Sequence, residues 1–201
     1  YFGSRDNFIY CLDAASGREI WKFKTGGEIA SAASIYEGKL FIASFDRNIY
    51  CIDSSTGKEL WRFTTGNEIY NVNPFPIHDG IIFTASLDNF LYAINIEIGK
   101  EVWRFKTGSM GNDVAPVLYN NVLYHSSRDG IFFAINMEGK EIWRLMLKGC
   151  SGGGIGPALV KDERIYIVAI DNSLHCLTLD GRELWRFKMP HYGFWPPAYD
   201  G

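Results

Sequence analysis

Five tryptophans recur at positions 21, 61, 103, 143 and 185, spaced 40, 42, 40 and 42 residues apart, each inside a near-copy of one segment. The first copy reads Gly17-Arg18-Glu19-Ile20-Trp21-Lys22-Phe23-Lys24-Thr25-Gly26 and the second Gly57-Lys58-Glu59-Leu60-Trp61-Arg62-Phe63-Thr64-Thr65-Gly66. A fixed period in this range, with no helical segment inside it, is the signature of a propeller or another array of small sheets. Aromatics at 15% and 21 glycines against 7 prolines fit short strands joined by tight turns.

Each repeat reads as four strands. In residues 28–66 the alternation predicts strands at 30–36, 39–44, 49–53 and 59–64, with Asp, Asn and Gly between them. Repeats 67–108, 109–148 and 149–189 follow the same scheme. Residues 1–26 hold the end of a second strand, a third and a fourth. Residues 195–201 read like a first strand, so 1–26 plus 191–201 would make one composite blade. The expectation is an all-β single domain over 1–201: a five-bladed β-propeller of four-stranded antiparallel blades, closed by pairing of the C-terminal strand with the N-terminal strands.

Residues Cys11, Cys51, Ala93, Ala134 and Cys176 share one slot, which predicts a small buried position rather than disulfides. Unpaired cysteines point to a reducing compartment, the cytoplasm. A net charge of −3 gives no reason to expect nucleic acid. The apolar runs are too short for a membrane-spanning helix. Aromatic and basic residues alternate on the fourth strands, with Glu19, Glu59, Glu101, Glu141 and Glu183 nearby. This reads as a solvated rim whose charges protect an open edge.

The spacing small-x-Asp-x-x-x-Gly-x-x-x-Trp, at Cys11, Asp13, Gly17, Trp21 and again at Cys51, Asp53, Gly57, Trp61, resembles the tryptophan-docking motif of pyrroloquinoline-quinone-like β-propeller repeats. The resemblance implies that Trp21, Trp61, Trp103, Trp143 and Trp185 each pack between the small residue of their own blade and the glycine of the next. The Asp of the motif is replaced by Asn95, Asn136 and Thr178, and the last two copies are one residue shorter. Quinoprotein dehydrogenases of that superfamily carry adjacent cysteines and a calcium site. No two cysteines adjoin here, so no cofactor is expected, and pyrroloquinoline quinone with calcium is argued against. Members without those residues serve as scaffolds, including outer-membrane assembly lipoproteins, or as interaction domains. That leaves a periplasmic location open beside the cytoplasmic one.

No histidine spacing suits zinc. His78 and His175 stand where other repeats carry Tyr, and His125 where others carry Phe2, Ile42, Thr84 and Ile167. Asp6, Asp46, Asp88, Asp129 and Asp171 recur in one turn, which predicts capping of local backbone N–H groups. The glycine-rich 149–157 stretch lacks the Lys-Ser/Thr and the following helix of a phosphate loop. The informative contrast lies between constant fourth strands and variable connections into each first strand. On the connections, Tyr70, Asn71, Asn112, Asp113, Tyr192, Phe194 and Trp195 offer aromatic faces and amides for a small polar ligand, a glycan or a peptide. Arg5, Arg47 and Arg128 belong to turns expected on the same face. The expectation is a monomeric, non-catalytic binding or scaffold module. A quinoprotein-type enzyme and a purely structural or designed ring remain the alternatives.

Overall fold

The computed structural model describes residues 1–70, 73–112, 114–147, 156–191 and 197–198. These form five antiparallel sheets and no helix. The first sheet holds β1 (Phe2–Gly3), β2 (Phe8–Leu12) and β3 (Glu19–Lys24). The second holds β4 (Ser34–Tyr36), β5 (Lys39–Ala43), β6 (Asn48–Asp53) and β7 (Glu59–Thr64). The third holds β8 (Ile77–His78), β9 (Ile81–Ala85), β10 (Phe90–Asn95) and β11 (Glu101–Lys106). The fourth holds β12 (Val117–Tyr119), β13 (Val122–Ser126), β14 (Ile131–Asn136) and β15 (Glu141–Met146). The fifth holds β16 (Leu159–Lys161), β17 (Arg164–Ala169), β18 (Ser173–Thr178) and β19 (Glu183–Lys188). Within each sheet the strands lie in chain order, as consecutive hairpins give.

The second, third and fourth strands fall where the alternation places them. The first strands are shorter than expected: β4 begins at Ser34 and β8 at Ile77. Pro74 and Pro76 have no N–H for the ladder, so before Ile77 it thins to single bonds such as that from the Phe83 N–H to the Pro76 carbonyl (3.0 Å). The Ser34 hydroxyl instead receives the Phe75 N–H (2.7 Å) across the boundary between the second and third sheets. The strand expected to complete the first sheet, within 195–201, lies outside the described residues except at Pro197 and Ala198.

The core sits between neighbouring sheets. One layer joins Ile9 and Ile29 to Leu40, Ile42 and Ile52. The next joins Phe41, Ala43 and Cys51 to Ile82, Tyr92 and Ile94. A third sets Phe83 and Leu91 against Leu123, Phe133 and Ile135, and a fourth sets Phe132 and Ala134 against Ile165, Ile167 and Leu177. Both faces of the middle strands are therefore buried, while the outer strands β7 and β15 alternate half-buried and exposed. On that exposed side Arg62 clasps Glu59 through two hydrogen bonds (2.7 and 2.6 Å), and Arg186 clasps Glu183 likewise (2.8 and 2.9 Å). This is the expected solvated rim, and such surface pairs contribute at most about 1 kcal/mol each.

Tryptophan docking fixes the spacing of the sheets. Trp21, Trp61, Trp103 and Trp143 each lie opposite the small residue of the neighbouring strand, namely Cys11, Cys51, Ala93 and Ala134, and a β-bulge follows that pair every time. Each indole Nε1 donates to a carbonyl of the following sheet: Ser54, Ile96, Met137 and Leu179, at 2.8–2.9 Å. The ring rests on Gly57, Gly99, Gly139 and Gly181 respectively. A Cβ on Gly99 would stand 2.5 Å from Trp61. Trp185 departs from the expected set of five. It lies opposite Cys176 but is 42% exposed, and its glycine counterpart, Gly17, faces open space.

Candidate binding site

The connections between sheets and the second turns of the blades share one face, because they hydrogen-bond to each other. Phe45 N–H donates to the Glu28 carbonyl (2.9 Å), Leu87 N–H to Glu68 (2.9 Å), and Arg128 N–H to Gly111 (3.3 Å). The recurring aspartate ties the two together. Asp46 Oδ1 accepts the Asn48 N–H of its own turn (3.0 Å). Its Oδ2 accepts the Gly26 N–H of the preceding sheet (2.7 Å) and the Tyr50 hydroxyl (2.5 Å). Asp88 repeats this with Phe90, Gly66 and Tyr92, and Asp129 takes the Ser109 N–H (2.8 Å). The turn role read from the sequence holds, and a bond between sheets is added to it. The tyrosine partner four residues on was the signal for a larger role. Burial, reinforced by the aspartate, pushes the Tyr50 hydroxyl up to about 12. Asp46→Asn would offer an amide N–H where Oδ2 or Oδ1 now accepts. Loss of about 1–3 kcal/mol is expected, read from a denaturant midpoint.

In the fifth sheet His175 stands in for the tyrosine. It is buried, with Nε2 3.2 Å from Asp171 and Nδ1 3.3 Å from Glu183. The aromatic-substitute reading therefore extends to the tyrosine's hydrogen bond. His78 is half-buried and lies 3.3 Å from Asp79.

The residues expected at the binding face divide. Tyr70 is half-buried, its ring stacked on Phe45 at a 5.5 Å centroid distance. Asn112 is wholly buried, and its amide is engaged: Oδ1 accepts the Thr107 hydroxyl (2.8 Å) and meets His125 Nε2 (3.1 Å), and Nδ2 donates to the Ser86 carbonyl (3.1 Å). Asn112 thus belongs to the framework between the third and fourth sheets, not to an accessible surface. Asn71, Asp113, Tyr192, Phe194 and Trp195 lie outside the described residues. Arg5 shares the face, with its guanidinium 4.0 Å from Glu28.

Sequence reasoning missed the Asn112–His125 pair. In the second sheet the slot of His125 is filled by Ile42, which packs in an apolar layer. Burial holds the His125 imidazole down at about 3, so it is neutral, and its Nδ1 has no partner. The odd histidine among Phe, Ile and Thr was the signal. Its partner, five residues beyond Thr107, could not be read from one chain.

Near the start of β8 and β12 lies a cavity of about 340 Å³ lined by Asn73, Pro74, Phe75, Pro76, Pro116 and Val117. Three prolines deprive its wall of backbone donors, which leaves ring faces and the Asn73 amide. Among the described residues no group of three or more His, Cys, Asp or Glu side chains converges as a metal site. No helix among them is long and apolar enough to cross a membrane.

The model of the family described as outer membrane protein assembly factor BamB, built on pyrroloquinoline-quinone-type repeats, matches residues 5–145 and 99–194. The chain belongs to this family. Among solved structures, the BamB-type fold is met in BamB from Moraxella catarrhalis, with a TM-score of 0.80 and 19% identity over 96% of this chain and 59% of that one. The computationally designed Ika8 protein overlays with a TM-score of 0.84 and 15% identity, over 99% of this chain and 61% of that one. At these identities the likeness shows the fold, a β-propeller. The chain spans about three fifths of the length of both. No curated protein matches the sequence significantly. Within this BamB-family chain the recurring element is the docked tryptophan, which ties one sheet to the next.

Proposed function

We propose that this BamB-family chain is a non-catalytic binding or scaffold module whose connecting-loop face engages a peptide, a glycan or a small polar ligand. One observation carries the reading. Four docked interfaces repeat the same bonds, while the connections leaving them diverge: Glu28-Ile29-Ala30-Ser31 and Glu68-Ile69-Tyr70-Asn71 share only their first two residues, and Met110-Gly111-Asn112-Asp113 shares neither. A rigid frame with divergent loops on one face suits recognition. The face would present Tyr70 and Asn71, Asp113, and the Tyr192, Phe194, Trp195 group, with Arg5 favouring an anionic moiety. The reading needs only that face. It stands with or without closure of a five-bladed ring by residues 195–201.

The test is a peptide and glycan screen on the intact chain, followed by Tyr70→Ala and Trp195→Ala. At least a tenfold loss of affinity in one of the two is expected. Unchanged binding in both would remove these loops from the account. The reading carries no cofactor: pyrroloquinoline quinone with calcium should leave an absorption spectrum equal to the sum of its parts. By family the module would work in the periplasm. The cysteines do not oppose this, since Cys11, Cys51 and Cys176 are buried one per sheet and an oxidising compartment would not pair them.

A further inference from the structure

We propose that a cavity between the third and fourth sheets, at the end of the strands opposite the connections, binds a primary alkylammonium group of the kind a lysine side chain carries. One slot of the repeat changes from sheet to sheet there. Lys39, Ile81 and Val122 open β5, β9 and β13, and each stands opposite the aspartate position of the tryptophan motif: Asp53, Asn95 and Asn136. In the second sheet the slot holds a base. The Lys39 side chain is 19% exposed and reaches across to the third sheet, where its ammonium meets Glu97 Oε1 at 2.5 Å. The glutamate raises the Lys39 pKa above its usual value. Most of the side chain is covered while its charge sits at the mouth, as suits a long basic residue.

One boundary further on, the acid is kept and the base is lost. Glu138 follows Met137 as Glu97 follows Ile96, and the carbonyls of Met137 and Ile96 accept the docked indoles of Trp103 and Trp61. The register therefore sets Glu138 in the place of Glu97 and Ile81 in the place of Lys39. Isoleucine lacks the last methylene and the ammonium. A cavity of about 360 Å³ lies at this boundary, with Ile81, Met137, His78, Asp79 and Glu138 in its wall. Ile81 and Met137 offer apolar surface to a methylene stem, and Asp79 and Glu138 offer negative charge to its head. His78 Nε2 lies 3.3 Å from Asp79. Glu138 is exposed, and among the described residues no lysine or arginine pairs with its carboxylate. The equivalent boundary between the second and third sheets shows what such a place holds, an ammonium on a methylene stem.

The boundary between the fourth and fifth sheets is the contrast. Val122 takes the slot, and a cavity of about 310 Å³ lies beside it, against Tyr124, Trp143 and Leu179. Its acid, Asp180, is already held by Arg182 (3.0 Å). Of the two cavities, the one at Ile81 is therefore the one with an acid left for a cation from outside. It shares no residue with the connecting-loop face, so its occupancy and recognition at that face are separate questions.

The test is a nitrogen–proton correlation titration of the intact chain with n-butylammonium chloride, the lysine side chain without its backbone. The ion pair faces solvent, so a dissociation constant on the order of millimolar is expected, with shifts confined to amides around Ile81 and Glu138. n-Butanol should bind about fivefold more weakly, having no charge to offer. Ile81→Lys should supply the missing ammonium from within and abolish the response. Glu138→Gln, at an exposed position, should weaken binding about threefold and leave the rest of the spectrum unchanged. Nα-acetyl-lysine amide is the second arm. Binding as tight as that of butylammonium points to a lysine of a partner protein, and exclusion of this larger probe points to a free amine; either result keeps the site. Absence of localised shifts well above millimolar concentration overturns the proposal, as does equal binding of butanol or a response that Glu138→Gln leaves unchanged.

Discussion

Gly99→Ala is expected to destabilise the protein by about 3 kcal/mol, and about half of that loss should vanish once Trp61 is gone. Two costs add in the single variant. An alanine at φ +64° sits in the left-handed region, which costs about 1–2 kcal/mol for a residue with a Cβ. The new methyl would also stand 2.5 Å from Trp61 Cδ2, inside van der Waals contact, so the indole must move and loosen its 2.8 Å bond to the Ile96 carbonyl. Trp61→Ala alone should cost about 3–5 kcal/mol, through lost packing against Phe41 and a carbonyl left without its donor. In the double variant the clash has no object and only the backbone term remains. The coupling should therefore be about 1–2 kcal/mol, beyond the few tenths seen for independent sites. Urea midpoints of the four proteins read it. Strict additivity would mean that the ring does not rest on that glycine.

The repeat made this part of the molecule legible from sequence. A tryptophan and a glycine at constant spacing, recurring five times, state a contact between neighbours without any alignment. The same logic gave the small slot at Cys51 and Ala93, because a position that accepts only those two residues tells of a large neighbour. What the repeat could not show lies where the copies differ. Asn112 looked like an accessible amide on a variable loop. Burial turned it inward, since Gly111 (φ +84°) replaces Ile29 and Ile69 and frees the chain to take another path. Periodicity likewise predicts what joins two successive copies, and Trp185, in the last copy, marks its limit, being 42% exposed. The first strand of the third sheet was overdrawn for a local reason, as two prolines without N–H and a serine–backbone bond thin the ladder before Ile77.

The same divergence yields the largest expected response to pH. His125 is buried and neutral, facing Asn112, whose other bonds go to Thr107 and Ser86, and none of the three carries charge. Burial alone lowers its titration from 6.5 to about 3. A histidine whose folded value is depressed binds its proton in the unfolded chain first, so stability falls as pH drops below about 6.5 and levels off only near 3. With one proton taken up by the unfolded chain, the slope approaches ~1.4 kcal/mol per pH unit, or about 3 kcal/mol lost between pH 6.5 and 4. Carboxylates enter later. Asp53, held at about 2 by hydrogen bonds from Ser55 and Thr56, gives up its contribution only as pH falls below its unfolded value near 4. His125→Ile places in this slot the residue that Ile42 already contributes to the second sheet. Asn112 Oδ1 keeps its bond from Thr107, so the fold should survive. The variant's stability should be flat from pH 6.5 to 4.5, where the wild type declines. Parallel curves for the two proteins over that window would show that the imidazole titrates freely, and that the boundary between the third and fourth sheets is open to water.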